Sequence, residues 1–210
     1  TYYPKEFFAA SMTMDLSNQN KLGEFHEELK RINIKVVRPD INKCFSDFQF
    51  DEDNFYYALG AIKSVGYEAI SSVVKERKVN GEFKSINDFL NRVSPKDINK
   101  LQLEGLVKAG AFDNIDNNRQ ALFNSIPNFI LKTKNIFENK AANQIDLFAA
   151  DEEQDNEIIH NIEDWKFEDR LSKEFEAVGF FISDHPLNQF KEIFDDYKII
   201  NYIKFNSDDD

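Results

Sequence analysis

The sequence predicts a mainly α-helical fold, on three observations. Gly and Pro are scarce, with 7 and 5 of 210 residues, which disfavours a sandwich or barrel rich in turns. Apolar residues recur at intervals of three and four along several stretches, the spacing of one helix face. Short β-branched and aromatic runs between residues 34 and 57 predict in addition a small α+β part near the N-terminus.

Two helices are expected to open the chain, over Lys5–Asp15 and Gln19–Asn33. A brief strand is predicted at Ile34–Val37, and a small hairpin at residues 48–57 around the acidic turn Asp51–Asn54. The inward positions expected of the first helix are Phe7, Phe8, Ala10 and Met14, and those of the second are Leu22, Phe25, Leu29 and Ile32.

A series of helices is predicted from Ala58 to Phe137. Ser85 is expected to cap one of them, since a serine at this position can accept a backbone N–H of the first turn, and Ser94-Pro95 is expected to start another. The predicted helices are Leu59–Lys63, Tyr67–Arg77, Ile86–Val93, Asn99–Lys108 and Asn117–Phe137, with a turn at Lys78–Glu82. The inward positions expected of the last two are Leu101, Leu103, Leu106 and Val107, then Leu122, Ile126, Phe129 and Ile130.

The character of the chain changes after residue 137. Residues 138–164 are polar, acidic and weakly periodic, which is typical of a flexible linker. A helix is predicted over Phe167–Val178, with Leu171, Phe175 and Val178 inward, and another around Lys191–Phe194. Tyr197–Phe205 resembles the first strand of a further domain. Because the chain starts without Met and ends abruptly, we expect it to be a piece of a longer protein.

Composition excludes several classes of protein. No run of about 18 apolar residues and no basic-then-apolar leader is present, so neither a membrane span nor a signal peptide is predicted. Cys44 stands alone, which leaves no disulfide framework or cysteine zinc site and favours the reducing cytoplasm. No nucleophile–base pair, catalytic carboxylate pair or metal-ligand spacing is visible. No catalytic residue, metal ligand or cofactor is therefore assigned to this segment.

The net charge of −12 is unevenly distributed. Residues 1–140 carry 20 Lys and Arg against 19 Asp and Glu, whereas residues 141–210 carry 6 against 19. Residues 55–140 have 13 against 9, a net of +4. A nucleic-acid-binding face is electrostatically possible in this central part, and the acidity belongs to the last third.

The first candidate binding motif is Lys63-Ser64-Val65-Gly66, which lies between two predicted helices with Ala69 at their crossing. This pattern is typical of a helix-hairpin-helix, in which backbone N–H groups of the turn and of the next helix N-terminus bind a phosphate oxygen. Glycine allows the backbone to approach closely. An ordinary corner between two core helices would show the same pattern.

A second candidate hairpin follows about 45 residues later, at Lys108-Ala109-Gly110. The two hairpins are predicted to form a tandem pair that holds both strands of duplex DNA across the minor groove. Because such contacts go to phosphates, binding would be independent of base sequence and strongly salt-dependent.

The third motif is a short peptide in the acidic stretch. It combines a polar first residue with an apolar pair that can fill a pocket of a partner protein, while the spacer residue faces solvent. An apolar contact back to its own domain is the alternative. The motif is Gln144, Ile145, Asp146, Leu147 and Phe148.

Seven blocks of sequence, in order and in register, resemble the bacterial DNA polymerase III α subunits, the C-family replicative polymerases. The resemblance covers about nine-tenths of the chain; Ser64 stands where the family commonly has Gly, and Asp184 where Gly is common before His185-Pro186. The blocks are Tyr3–Ala10, Arg38–Asn42, Leu59–Gly66, Phe83–Phe89, Leu106–Asp113, Gln144–Phe148 and Glu174–Leu187.

The resemblance implies a domain layout. Residues 1–54 would end the fingers domain, 55–140 would form a tandem helix-hairpin-helix domain on duplex DNA, and 141–164 would be a linker with the peptide that binds the sliding clamp, the β subunit. Residues 165–196 would be a helical connector, and 197–210 the start of an OB-fold. The family's Mg²⁺-binding palm carboxylates would lie upstream, so this segment would be inactive within a DNA-directed DNA polymerase. Other replicase subunits are implied as partners, in the bacterial cytoplasm at the nucleoid.

Two other interpretations remain open at this point. A stand-alone helical adaptor of DNA repair could carry both kinds of binding motif without a polymerase. The error-prone paralogue of the same polymerase would share most of the blocks, although the peptide Gln144–Phe148 favours the replicative enzyme.

Overall fold

The computed structural model describes residues 2–141 and 162–199. These residues form eight α-helices and a small sheet, which confirms the mainly α fold class. The helices are α1 (Pro4–Met14), α2 (Gln19–Arg31), α3 (Tyr67–Asn80), α4 (Ile86–Arg92), α5 (Lys100–Lys108), α6 (Arg119–Ala141), α7 (Phe167–Val178) and α8 (Lys191–Asp196). Short 3₁₀ helices lie at Leu59–Ala61 and Pro186–Phe190.

Three two-residue strands form the sheet: β1 (Val36–Val37), β2 (Gln49–Phe50) and β3 (Phe55–Tyr56). The central strand β3 is parallel to β1 and antiparallel to β2, with Val36 and Phe50 both opposite Phe55. The expected hairpin is therefore present. Asp51 closes its turn, because its carboxylate accepts the backbone N–H groups of Asp53 and Asn54.

One continuous hydrophobic core joins residues from α1 to Ile182. The segment after the acidic stretch belongs to this core, since Ala177 and Val178 of α7 are buried in it. The C-terminal end of the acidic stretch is also bonded to the start of α6. The Asn118 side chain donates to the Ile162 carbonyl, and the Asp164 carboxylate accepts the Gln120 N–H at the start of α6.

The buried faces of several helices differ from the predicted ones. In α1 the core receives Phe8, Ala9 and Met12, whereas Met14 is 89% exposed. The prediction of Phe7, Ala10 and Met14 as inward was wrong, because the unbroken apolar run at residues 7–10 does not reveal which side of the helix meets the core. Leu101 and Phe175, also predicted inward, are 61% and 46% exposed.

Three local predictions also need correction. Ser94-Pro95 starts no helix: the N–H groups of Asp97 and Ile98 both bond to the Ser94 carbonyl, which closes a turn and buries Ile98. Helix α3 continues to Asn80, so the predicted turn shrinks to Gly81 and its neighbours. Helix α6 extends to Ala141, four residues beyond its predicted end. Residues 197–199 form no strand, and 200–205 lie outside the described residues.

No described helix is long and apolar enough to cross a membrane. Within the same residues, no three His, Cys, Asp or Glu side chains come together as a metal-binding group.

Candidate nucleic-acid interface

The first predicted hairpin is a tight turn between the 3₁₀ helix Leu59–Ala61 and α3. Ser64 adopts a left-handed conformation with φ +65°, and Gly66, the residue before α3, has φ +81°. A side chain at Gly66 would meet nothing within 4 Å, so the turn opens outward there. The glycine is thus needed for its backbone angle and not for space.

The backbone donors of this turn are available. The N–H groups of Ser64 and Gly66 have no acceptor among the described residues, and no side chain caps the start of α3. Lys63 and Ser64 are exposed, and Lys63 has no ion-pair partner in the described part of the chain. The turn therefore presents several N–H groups and one cation to solvent at a helix N-terminus.

Helix α5 packs against the first hairpin. A Cβ at Gly105 would lie 2.8 Å from the Lys63 carbonyl, so only glycine permits this approach. The Gln102 amide donates to the Val65 carbonyl at 2.9 Å. On the other side, the Lys63 N–H donates to the Ala177 carbonyl of α7 at 2.9 Å. Two helices distant in sequence therefore hold the turn in place.

The second hairpin is closed. The N–H groups of Ala109, Gly110 and Ala111 donate to the carbonyls of Gly105, Val107 and Leu106, all within 3.0 Å. Its three turn residues are buried. Gly110 has φ +78°, and a Cβ there would lie within 2.5 Å of the Arg119 Cζ. No turn amide is therefore left to bind an external phosphate.

Arg119, which the sequence analysis did not single out, closes this hairpin. It is 3% exposed, donates to both carboxylate oxygens of Asp113 at 2.8 and 2.7 Å, and donates to the Lys108 carbonyl at 3.0 Å. Burial lowers the pKa of Arg119, but the bonds to Asp113 and the charge of Glu174 outweigh it and raise the pKa above its ordinary value. The sequence signal that could have indicated this role is an Arg six residues after an Asp, close to a glycine turn.

Helix α7 completes the buried charge network. Glu174 is 1% exposed, lies 3.6 Å from the Arg119 guanidinium, and accepts the N–H groups of Ile182 and Ser183. Arg170 bridges Asp113 and Asp164. The second hairpin is thus joined by charge-assisted bonds to the segment that follows the acidic stretch.

Lys108 is not a free cation. Its ammonium lies 3.0 Å from the Glu176 carboxylate of α7 and 5.4 Å from the ring centre of Phe123. Glu176 also accepts from Lys173 at 2.9 Å. These bonds from Lys173 and Lys108 lower the pKa of the Glu176 carboxyl, so it remains ionised. The two predicted binding lysines, Lys63 and Lys108, therefore differ in their availability.

The predicted clamp-binding peptide, Gln144, Ile145, Asp146, Leu147 and Phe148, lies outside the described residues. The structure therefore does not test that prediction.

Comparison with known proteins finds the same motif and a family of related chains. Residues 33–122 match a family model described as "Helix-hairpin-helix motif", a range that contains both hairpins. The chain is 39% identical to the DNA polymerase III subunit alpha of Caulobacter vibrioides over 88% of its length. Identity to the subunits of Campylobacter jejuni and Borreliella burgdorferi is 38% and 35%, over 97% and 96% of the chain.

The chain spans only 16–18% of the length of these three relatives. Within that span the likeness runs through the sheet, both hairpins and α7. The chain belongs to the DNA polymerase III subunit alpha family.

Proposed function

We propose that this chain is a DNA-binding segment of a replicative DNA polymerase and contacts the backbone of duplex DNA through its first hairpin. The observation that carries the proposal is the set of open N–H groups at Ser64, Gly66 and the start of α3, beside the unpaired Lys63. Such an arrangement favours a phosphate oxygen through hydrogen bonds and the helix dipole together.

The two hairpins have unequal roles in this proposal. Lys63, Ser64 and Gly66 form the contact, whereas Val65, which the sequence analysis also assigned to it, is buried with its N–H bonded to the Ile62 carbonyl. Ala109 and Gly110 serve mainly to position α5 against this turn, since their N–H groups are bonded internally. Lys108 can contribute its charge to DNA binding only when its ion pair with Glu176 is broken. Contacts of this kind reach phosphates and not base edges, so duplexes of different sequence should bind alike.

The test is a titration of labelled duplex DNA by fluorescence anisotropy, between 50 and 200 mM salt. Replacing Lys63 by Glu should weaken binding about tenfold, and the slope of log affinity against log salt should fall by about 1. The matched control is Lys84→Glu, an exposed lysine outside the hairpin. If both variants lose affinity equally, general charge and not the hairpin binds DNA.

We further propose that Gln144–Phe148 binds the sliding clamp and thereby keeps the polymerase on DNA. The support is its sequence: a terminal Leu147-Phe148 pair in an acidic stretch can anchor in an apolar pocket. The double variant Leu147→Ala, Phe148→Ala should abolish clamp capture and leave DNA binding unchanged. A matched control is the apolar pair Ile158-Ile159 of the same stretch, replaced by Ala. Undiminished capture by the first variant would reject the peptide.

We also propose that the whole protein is a DNA-directed DNA polymerase and that this segment has no polymerase activity by itself. The family resemblance implies that the carboxylates that bind Mg²⁺ belong to another part of the polymerase, so this segment would bind DNA without extending it. A primer-extension assay with the purified chain tests this: extension of a primer would contradict it. Contacts with other replicase subunits and a cytoplasmic location at the nucleoid belong to the same proposal.

A further inference from the structure

A polar cleft of about 520 Å³ lies between the sheet and the second hairpin. Its volume is within the range of about 300–1,000 Å³ that is usual for ligand sites. The six residues 35–40, which include β1, form one wall, and the turn at residues 109–114 forms the other. Neither hairpin uses the cleft for the contact proposed above.

Strand β1 is an edge strand of the sheet, and its free edge is unpaired. The N–H groups of Phe55 and Tyr57 donate to the carbonyls of Lys35 and Val37, at 2.9 and 3.1 Å. In a parallel pair, the N–H and C=O of the intervening residue point to the opposite side. Those groups of Val36, a residue that lines the cleft, have no partner among the described residues. The edge therefore offers one donor and one acceptor.

The carboxylates that line the cleft are bonded within the described residues, whereas two of its cations are not. Its carboxylates are engaged within the protein: Asp113 with Arg119, Glu174 with two backbone N–H groups, and Asp40 with the Asn42 N–H and with Lys43. By contrast, Lys35 and Arg38 are exposed and have no ion pair in the described part of the chain. Two free cations thus flank the unpaired Val36.

We propose that this cleft binds an extended acidic peptide of a partner protein, which adds to the sheet beside β1. A peptide supplies both an acceptor for the Val36 N–H and a donor for its C=O, as strand addition requires. A nucleic-acid backbone supplies acceptors only, so it could accept the Val36 N–H but would leave that carbonyl without a donor. Because side chains alternate along a strand, an acidic side chain on one face of the peptide would meet Lys35 and one on the other face would meet Arg38.

The probe for the full chain is a labelled, end-blocked hexapeptide, Glu-Glu-Val-Val-Glu-Glu, which places acidic side chains on both faces of the added strand. Two reference peptides accompany it, one with Gln for Glu and one N-methylated at alternate residues. The double variant Lys35→Gln, Arg38→Gln should bind the probe about tenfold more weakly, and added salt should reduce the difference. Lys84→Gln with Lys96→Gln, two exposed lysines outside the cleft, is the matched control.

Val36→Pro tests the backbone part of the proposal. It removes the free N–H and leaves the ladder to β3 intact, a position at which an edge strand tolerates Pro. The variant should keep the wild-type melting temperature and lose peptide binding, as should the N-methylated probe with the unaltered protein. Equal binding by either, or no saturable binding of the acidic probe, would overturn the proposal. A single-stranded oligonucleotide that displaces the probe at lower concentration would assign the cleft to nucleic acid and overturn it as well.

Discussion

The two hairpins share one sequence pattern, a lysine beside a turn of small residues with glycine, but their backbone groups have opposite fates. At Ser64 and Gly66 the N–H groups are free, and Lys63 is unpaired. At Ala109 and Gly110 every N–H is bonded inside the protein, and Lys108 is paired with Glu176. A motif therefore predicts a local shape, whereas the availability of its donors depends on what packs against it.

The largest effect that would test this comparison is the loss of Arg119. Arg119→Ala leaves the buried Glu174 carboxylate without its cation, while Asp113 keeps its bond to Arg170, and the loss should cost about 3–5 kcal/mol of unfolding free energy. Urea unfolding followed by circular dichroism measures it. Arg31→Ala, which breaks an exposed pair with Glu28, should cost no more than about 0.5 kcal/mol. A similar small loss for Arg119→Ala would mean that the second hairpin does not depend on its network.

Acidification should lower the free energy of unfolding through a buried histidine that contacts the segment after α7. His26 is buried with its ring 5.0 Å from Phe180, and burial, reinforced by Lys30, lowers its pKa to about 4. Between pH 6.5 and 4 the unfolded chain binds the proton and the folded chain does not, so stability should fall as pH is lowered, by up to about 3 kcal/mol.

Unfolding at pH 7 and pH 4.5 would check this loss. The difference should shrink in His26→Leu and persist in His185→Gln, since His185 is exposed. An unchanged difference in His26→Leu would assign the acid sensitivity to the carboxylates.

Alanine at the two turn glycines gives a direct comparison. Both positions have φ near +80°, and Gly66 combines it with ψ 146°, a region that essentially only glycine adopts; such backbone strain costs about 1–3 kcal/mol. Gly66→Ala should cost only this strain, because nothing lies within 4 Å of its Cβ. Gly110→Ala should cost about 1–3 kcal/mol more, since the Cβ would overlap the Arg119 guanidinium. Melting temperatures would give the order, and equal losses would contradict the steric difference.

The smallest expected effect concerns Lys108. Glu176→Gln removes its carboxylate partner and should raise affinity for duplex DNA about twofold, as expected for one partly exposed ion pair. Anisotropy at low salt is the measurement, with Glu163→Gln, an exposed acid outside the network, as control. A decrease in affinity would show that Glu176 orients Lys108 for DNA binding and does not prevent Lys108 from reaching a phosphate.

Much of the fold could be predicted from local signals. The bounds of α7 were predicted correctly, and Ser85 caps α4 as expected, because caps and apolar periodicity act within a few residues. The inward face of α1 was not predicted, since Phe7, Phe8, Ala9 and Ala10 offer apolar choices on every side. The turn at Ser94 was predicted as a helix start because both features use the same residue types. The turn at Gly81 was predicted, but α3 reaches Asn80, three residues beyond its predicted end.

The sequence by itself determined the helical class, the family and the positions of both hairpins, because each follows from residue type and short spacing. Only the tertiary structure decided which hairpin is open. That decision depends on Arg119, Glu174 and Glu176, which lie up to 68 residues from the turn they close, and on the approach of α5 at Gly105. Donors and charges are local in the sequence, whereas their partners are brought together only by packing.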